Sequence, residues 1–171
     1  MLDIHPDVSD AAQTARTASK LLAQGVQCGK YAVAFNFDWA RQIVDEFELV
    51  PIPRAPGWVL GAVNVNGLIV PVIDLDCYFS ESNAPSQLQR GQRLLLGGVQ
   101  AEDAEGALAI VFSQIPAQLE YDAQPLTDPA ALPQRLQEVS KGIASAEYGK
   151  SFVEIDAQKL MGALAAELSI V

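Results

Sequence analysis

Few of the 171 residues are of types that do chemistry, and their spacing serves it poorly. The one histidine, His5, stands near the N-terminus. Its position there takes away the usual general base, the commonest metal ligand and any Ser–His or Cys–His pair. The chain contains no GxSxG, no GxxxxGK[ST], no GxGxxG after a strand and no CxxC. Asp74 and Asp76 are the pair worth weighing. Alternate residues of a strand share a face, and two carboxylates there could hold a hard cation or share a proton. No third ligand or partner acid is evident beside them, so a solvated strand end entering a loop is the better reading. Cys28 and Cys77 sit inside apolar runs; a disulfide between them is one reading, and buried free thiols the favoured one. Trp58 follows Pro56-Gly57 and has two readings: an anchor for a partner protein, as aromatics often are at interface hot spots, or a plug for one mouth of a barrel. These residue types point away from catalysis.

Composition narrows the classes further. Asp and Glu number 21 against 11 Lys and Arg, a formal net charge of -10. Such a chain is repelled by a phosphate backbone and by anionic lipid headgroups, which excludes nucleic acid and charge-driven membrane attachment as expectations. No run approaches the roughly 20 apolar residues that span a bilayer, and no signal-peptide pattern opens the chain, so a cytoplasmic protein with no direct membrane insertion is expected. Half of the residues are hydrophobic, enough for a self-sufficient core at this length.

The elements that must position these side chains are mostly short strands. Ser9 or Asp10 can cap a helix through AAQTARTASKLLAQ that ends at Gly25, with Ala11, Ala15, Ala18 and Leu22 as a narrow apolar stripe. From Val26 the period becomes two: Tyr31, Val33, Phe35 and Phe37 alternate with smaller or polar residues, and Gly29-Lys30 predicts a tight hairpin. WARQIVDEF reads as a short helical turn or an irregular crossing. Pro51, Pro53 and Pro56 forbid helix and central strand at their positions. WVLGAVNV and LIVPVIDL then form a hairpin about Asn66-Gly67, with Pro71 at an edge or a bulge. RLLLGGVQ and ALAIVFSQI predict a second hairpin, and AQLEYD a further short strand. Residues 125–133 read as a proline-rich loop. VSKGIASAEYGKSFVEID predicts a third hairpin turning at Tyr148-Gly149-Lys150, and Asp156 caps a closing helix with Leu160, Leu164 and Leu168 on one face. Short strands with Gly and Pro punctuation, and helices at the ends, predict small antiparallel barrels.

The segment VPIPRAPGWVLGAVNVNGLIVPVIDLDCYF resembles the central signature of the CheW-like family. Pro53, Ala55, Pro56, Gly61, Asn64, Gly67, Pro71, Asp74 and Leu75 stand at the matching places. ARQI (40–43) resembles the family's "V-x-E-I" element, and the flanking hairpins and C-terminal helix extend the likeness from about Val26 to Leu168. The resemblance implies a mainly β fold of two small five-stranded SH3-like β-barrels sharing a hydrophobic seam. It sets the boundaries at 1–25 for a helical extension and 26–171 for the domain, with the second lobe starting near 92. It also implies a non-catalytic adaptor, without cofactor or metal, that couples the regulatory domain of a CheA-type histidine kinase to the cytoplasmic tip of methyl-accepting receptors.

Three departures stand out against that likeness. Asn66 replaces the usual Arg before the hairpin Gly, and Gln42 replaces the Glu of "V-x-E-I". Ser113 stands where an Asp is usual. Typical members carry opposed charges at the first two positions, so the exchange reads as a matched replacement by a neutral hydrogen-bonded pair. The docking candidates are accordingly Gln42, Asn66 and Trp58 in the first lobe and Ile110 in the second. A divergent adaptor of a type IV pilus or other non-flagellar chemosensory pathway is the leading expectation. The alternatives are a degenerate scaffold or ligand-binding module that engages neither partner, and a small enzyme or metal protein built on Asp74 and Asp76.

Overall fold

The structure is a computed structural model that describes residues 20–98, 106–145 and 149–169. Among the described residues nine strands follow one another as β1 (Leu21–Cys28), β2 (Tyr31–Asn36), β3 (Ala40–Val44), β4 (Val59–Val65), β5 (Leu68–Ile73), β6 (Arg93–Gly97), β7 (Leu108–Tyr121), β8 (Ser140–Ser145) and β9 (Ser151–Ile155). Three α-helices interrupt them among the described residues: α1 (Leu75–Ser80), α2 (Gln134–Val139) and α3 (Ala157–Ser169). A 3-10 turn covers Pro129–Ala131.

The strands group into two five-stranded sheets that share β7. One runs β3-β6-β7-β5-β4, with antiparallel pairs except for the parallel contact of β5 with β7. The other runs β7-β1-β2-β9-β8, with β2 and β9 parallel. Neither closes completely: among the described residues β3 and β4 do not pair, and the open side of β4 is met by a bridge from Val50 to Ala62. The expected mainly β architecture of two SH3-like units with a C-terminal helix is what the chain adopts.

Period-two alternation on β7 builds the interior. Leu108, Ile110 and Phe112 point into a large apolar seam, while Ala109 and Val111, with Ala107 just before the strand, point into the small core of the first sheet. The seam also takes Val26, Phe35, Trp58, Phe79, Leu136, Leu160 and Leu164, so it joins both sheets to all three helices. A third cluster of Ala23, Ala34, Leu119, Tyr121, Ala144 and Phe152 fills the second sheet.

The hairpins follow their turn chemistry. Cys28 pairs with Tyr31 across Gly29-Lys30, and Gly29 has φ 57. Asn66 and Gly67 both take positive φ, 52 and 88, as an Asn-Gly two-residue turn demands. Asp156 accepts from Lys159 N at 3.1 Å, opening α3 as expected, and Leu160 and Leu164 are buried while Leu168 is exposed.

Several expectations need correction. The helix expected to run to Gln24 is strand from Leu21 onward, because residues 21–25 form a ladder with 117–121 of β7 and the pairing overrides local helix propensity; its earlier part lies outside the described residues, as do His5 and most of the 1–25 extension. WARQIVDEF supplies β3, an edge strand on β6. AQLEYD is no separate strand but the second half of β7. Pro116 is tolerated there because it falls where the pairing of β7 with β1 shifts register. The change of sheet falls near Ser113 on β7, and β6 pairs with β3 in the first sheet. The apex of the third hairpin lies partly outside the described residues.

Candidate functional site

Two concavities lie against α3, one polar and one apolar. The polar cleft spans the two sheets and has a volume of about 510 Å³. Trp39 and Arg41 at the start of β3 line it on one side, and Lys141, Asp156 and Gln158 on the other, with Asn36 and Asp38 from the β2–β3 turn. Asn36 shapes that turn: its side-chain oxygen accepts from Asp38 N at 2.8 Å and its carbonyl from Trp39 N at 3.0 Å. The half-buried Trp39 ring stacks on Phe35, with ring centroids 4.8 Å apart. Gly98 N donates to Trp39 O at 3.0 Å, and a side chain at Gly97 would strike the indole. Trp39 is thus a rigid aromatic wall with cations and carboxylates of both signs around it, a composition suited to polar recognition of a protein surface.

The sequence-derived candidates separate. Gln42 is exposed on the edge strand β3, one residue from Arg41 of the cleft. Asn66 is exposed at the tip of the β4–β5 hairpin. Among the described residues no hydrogen bond joins them, so the expected neutral hydrogen-bonded pair is absent. Trp58 and Ile110 are core residues and must be withdrawn as docking residues. Trp58 packs edge-on against Tyr78 at 5.2 Å, the plug reading, and Ile110 points into the seam because of its parity on β7. Ser113, at the change of sheet, pairs across from Gln27. Trp39 was the residue missed. Its signal was an aromatic placed just after a half-buried strand and an Asn-x-Asp turn, but nothing in the sequence separates a cleft tryptophan from a core one.

Asp74 and Asp76 have structural roles. Asp74 is the N-cap of α1: one carboxylate oxygen accepts from Cys77 N at 3.1 Å and the other from Ser86 Oγ. Asp76, in the first turn, accepts from Lys30 N at 3.4 Å and packs on Gly29. The two carboxylates therefore tie the connector at 82–86 and the β1–β2 turn to α1. Among the described residues no group of three metal-ligating side chains occurs. Cys28 and Cys77 are buried free thiols. Burial, followed by the nearby Asp74 and Asp76, pushes both thiols above their ordinary range, so they are poor nucleophiles.

The apolar concavity, about 430 Å³, lies between residues 52–56, the starts of β4 and β7, the end of β5 and the α3 residues Met161, Leu164 and Leu168. Behind α3, Arg135 of α2 holds the helices together. It donates to Tyr78 O at 3.0 Å and to Glu167 at 3.1 Å, lies 3.5 Å from Glu81, and covers the Tyr78 ring at 4.6 Å. No helix among the described residues is long and apolar enough to cross a membrane.

Comparison with known proteins agrees with this architecture. A family model described as the CheW-like domain matches residues 23–165. The chain is similar in structure to a scaffolding protein, TtCheW, from Thermoanaerobacter tengcongensis, at a TM-score of 0.62 and 16% identity, covering 79% of this chain and 88% of that one. No curated protein matches the sequence.

Proposed function

The chain belongs to the CheW-like domain family, and from that premise we propose that it is a non-catalytic cytoplasmic adaptor of a chemosensory pathway. It couples the regulatory domain of a CheA-type histidine kinase to the cytoplasmic tip of methyl-accepting receptors. The observation that carries this reading is the polar cleft between the sheets: a fixed aromatic wall, Trp39, beside the exposed edge strand that carries Arg41 and Gln42. An edge strand offers unpaired backbone groups, and an aromatic with Arg beside it is the composition of interface anchors. Gln42 and Asn66, each exposed and uncharged, mark a divergent member, and a type IV pilus or other non-flagellar pathway is its proposed setting. The domain is proposed to start with β1 at Leu21 rather than at the residue 26 read from sequence, the residues before it forming an extension.

Calorimetric titration with the regulatory domain of a CheA-type kinase from the same genome tests the reading. Saturable binding at micromolar Kd or tighter is expected, weakened at least tenfold by Trp39→Ala or Arg41→Glu. Absence of binding by folded protein sinks the adaptor reading in favour of a scaffold that engages neither partner.

A further inference from the structure

The apolar groove is the concavity least explained by docking of large partners. Its lining is almost wholly aliphatic: Ile52, Pro53, Pro56 and Val59 on one side, Met161 and Leu168 of α3 on the other. Among the described residues no carboxylate lines it, and the one charged lining residue is Arg54. Arg54 sits at the rim, exposed, with φ 61, between Pro53 and Ala55; no hydrogen bond or ion pair among the described residues engages its guanidinium. Arg54 is the third residue of a turn closed by Ala55 N donating to Ile52 O at 3.4 Å, which accounts for its left-handed φ. At the lips, Ile52 is 41% exposed and Leu168 46%.

We propose that this groove binds a single-chain amphiphile, a medium-chain carboxylate whose alkyl tail lies along α3 and whose head pairs with Arg54. Size decides between a small molecule and a protein. The volume of about 430 Å³ falls within the roughly 300–1,000 Å³ of small-ligand pockets, which are apolar with a few orienting polar groups. The 14 described residues that line it fall short of the roughly 20–30 residues a side of a standard protein interface. Charge decides the head. The net charge of -10 repels an anion at long range, but beyond roughly 8 Å that repulsion is screened at physiological salt, whereas an ion pair with Arg54 is in contact. This inference stands independently of the adaptor reading.

The test is calorimetric titration of the full chain with dodecanoate below its micellar concentration, beside dodecyltrimethylammonium, which has the same tail and the opposite head. One-to-one saturable binding of dodecanoate is expected, with the cationic analogue weaker by about tenfold. Arg54→Ala should weaken dodecanoate about fivefold, as for one exposed charge contact, and leave the cation unweakened. Leu168→Glu should abolish binding of dodecanoate. Both altered side chains are exposed, and an unchanged thermal midpoint confirms folding. Non-saturable uptake, equal affinity for the two heads, or full affinity in Leu168→Glu overturns the proposal. Co-sedimentation with phosphatidylglycerol vesicles without binding of free dodecanoate overturns it in favour of a bilayer surface. A dimer that Leu168→Glu converts to monomer overturns it in favour of a second copy in the groove.

Discussion

Arg135 offers the sharpest test of how the helices are held beside the two concavities. Its guanidinium makes one partly buried bond to the carbonyl of Tyr78, one ion pair to Glu167 and a looser one to Glu81, and it covers the Tyr78 ring. The side chain is 21% exposed, whereas Glu81 is 65% and Glu167 41% exposed. The Glu81 pair, long and well solvated, contributes close to nothing, and the Glu167 pair about 0.5 kcal/mol. The charged bond to a partly buried carbonyl contributes about 1.5 kcal/mol, and the ring contact about 0.5 kcal/mol. Arg135→Met keeps the apolar stem and removes the head, so the expected loss is about 2.5 kcal/mol. At roughly 2–4 °C per kcal/mol for a chain of this size, the thermal midpoint should fall by about 5–10 °C. Arg135→Lys keeps the charge but loses the fork, and should recover less than half of the loss. Urea denaturation of the three proteins measures this directly. A loss below about 0.5 kcal/mol for Arg135→Met would refute the clamp, and full recovery by lysine would show that charge alone matters.

Other outcomes follow from the same contacts. Ile110→Ala should cost about 3 kcal/mol in urea denaturation because it opens a cavity in the seam, whereas Gln42→Ala should stay within about 0.5 kcal/mol. Gly29→Ala combines a left-handed backbone with a collision against Asp76, and should destabilise by about 1–3 kcal/mol by the same assay. The fold should also weaken in alkali. Cys28 and Cys77 are held above their ordinary 9.0, and Tyr78 and Tyr121 above their ordinary 10.0, in each case chiefly by burial. Groups whose folded pKa is raised give their full stability below the unfolded value and lose it as pH rises, so stability should decline from about pH 9 upward. Thermal midpoints between pH 7 and 11 measure this, and a flat profile would contradict the burial of these groups.

Much of the sheet was legible because the turns are chemically explicit. Gly29-Lys30 and Asn66-Gly67 each set a hairpin, and alternation at Val33 and Phe35 marked the buried face of β2. What failed was of two physical kinds. Leu21 to Gln24 carried helix-like local preference, but pairing with Gln118–Tyr121 of β7, and of Ala23 and Gln24 with Asn36 and Phe35 of β2, makes them a strand; no local window holds that information. The short helices α1 and α2 did leave signals: Asp74 with Asp76 forms a cap and an acidic first turn, and Pro133 stands at the start of α2. Both were submerged in segments read as strand end and loop. For the site, exposure was the missing quantity. Trp58 and Trp39 follow similar turns, yet one plugs the seam and the other lines the cleft, because their neighbours Tyr78 and Phe35 come from packing and not from spacing. Ile110 was misplaced for the same reason, since its face depends on which side of β7 meets the seam.

The most direct test of the adaptor reading is co-sedimentation of a CheA-type kinase with vesicles carrying the receptor from the same genome, with and without this chain. The account predicts that the kinase pellets with the vesicles when the chain is present and stays in the supernatant when it is absent or carries Trp39→Ala. Equal pelleting in all three conditions would contradict the claim that this protein joins the two.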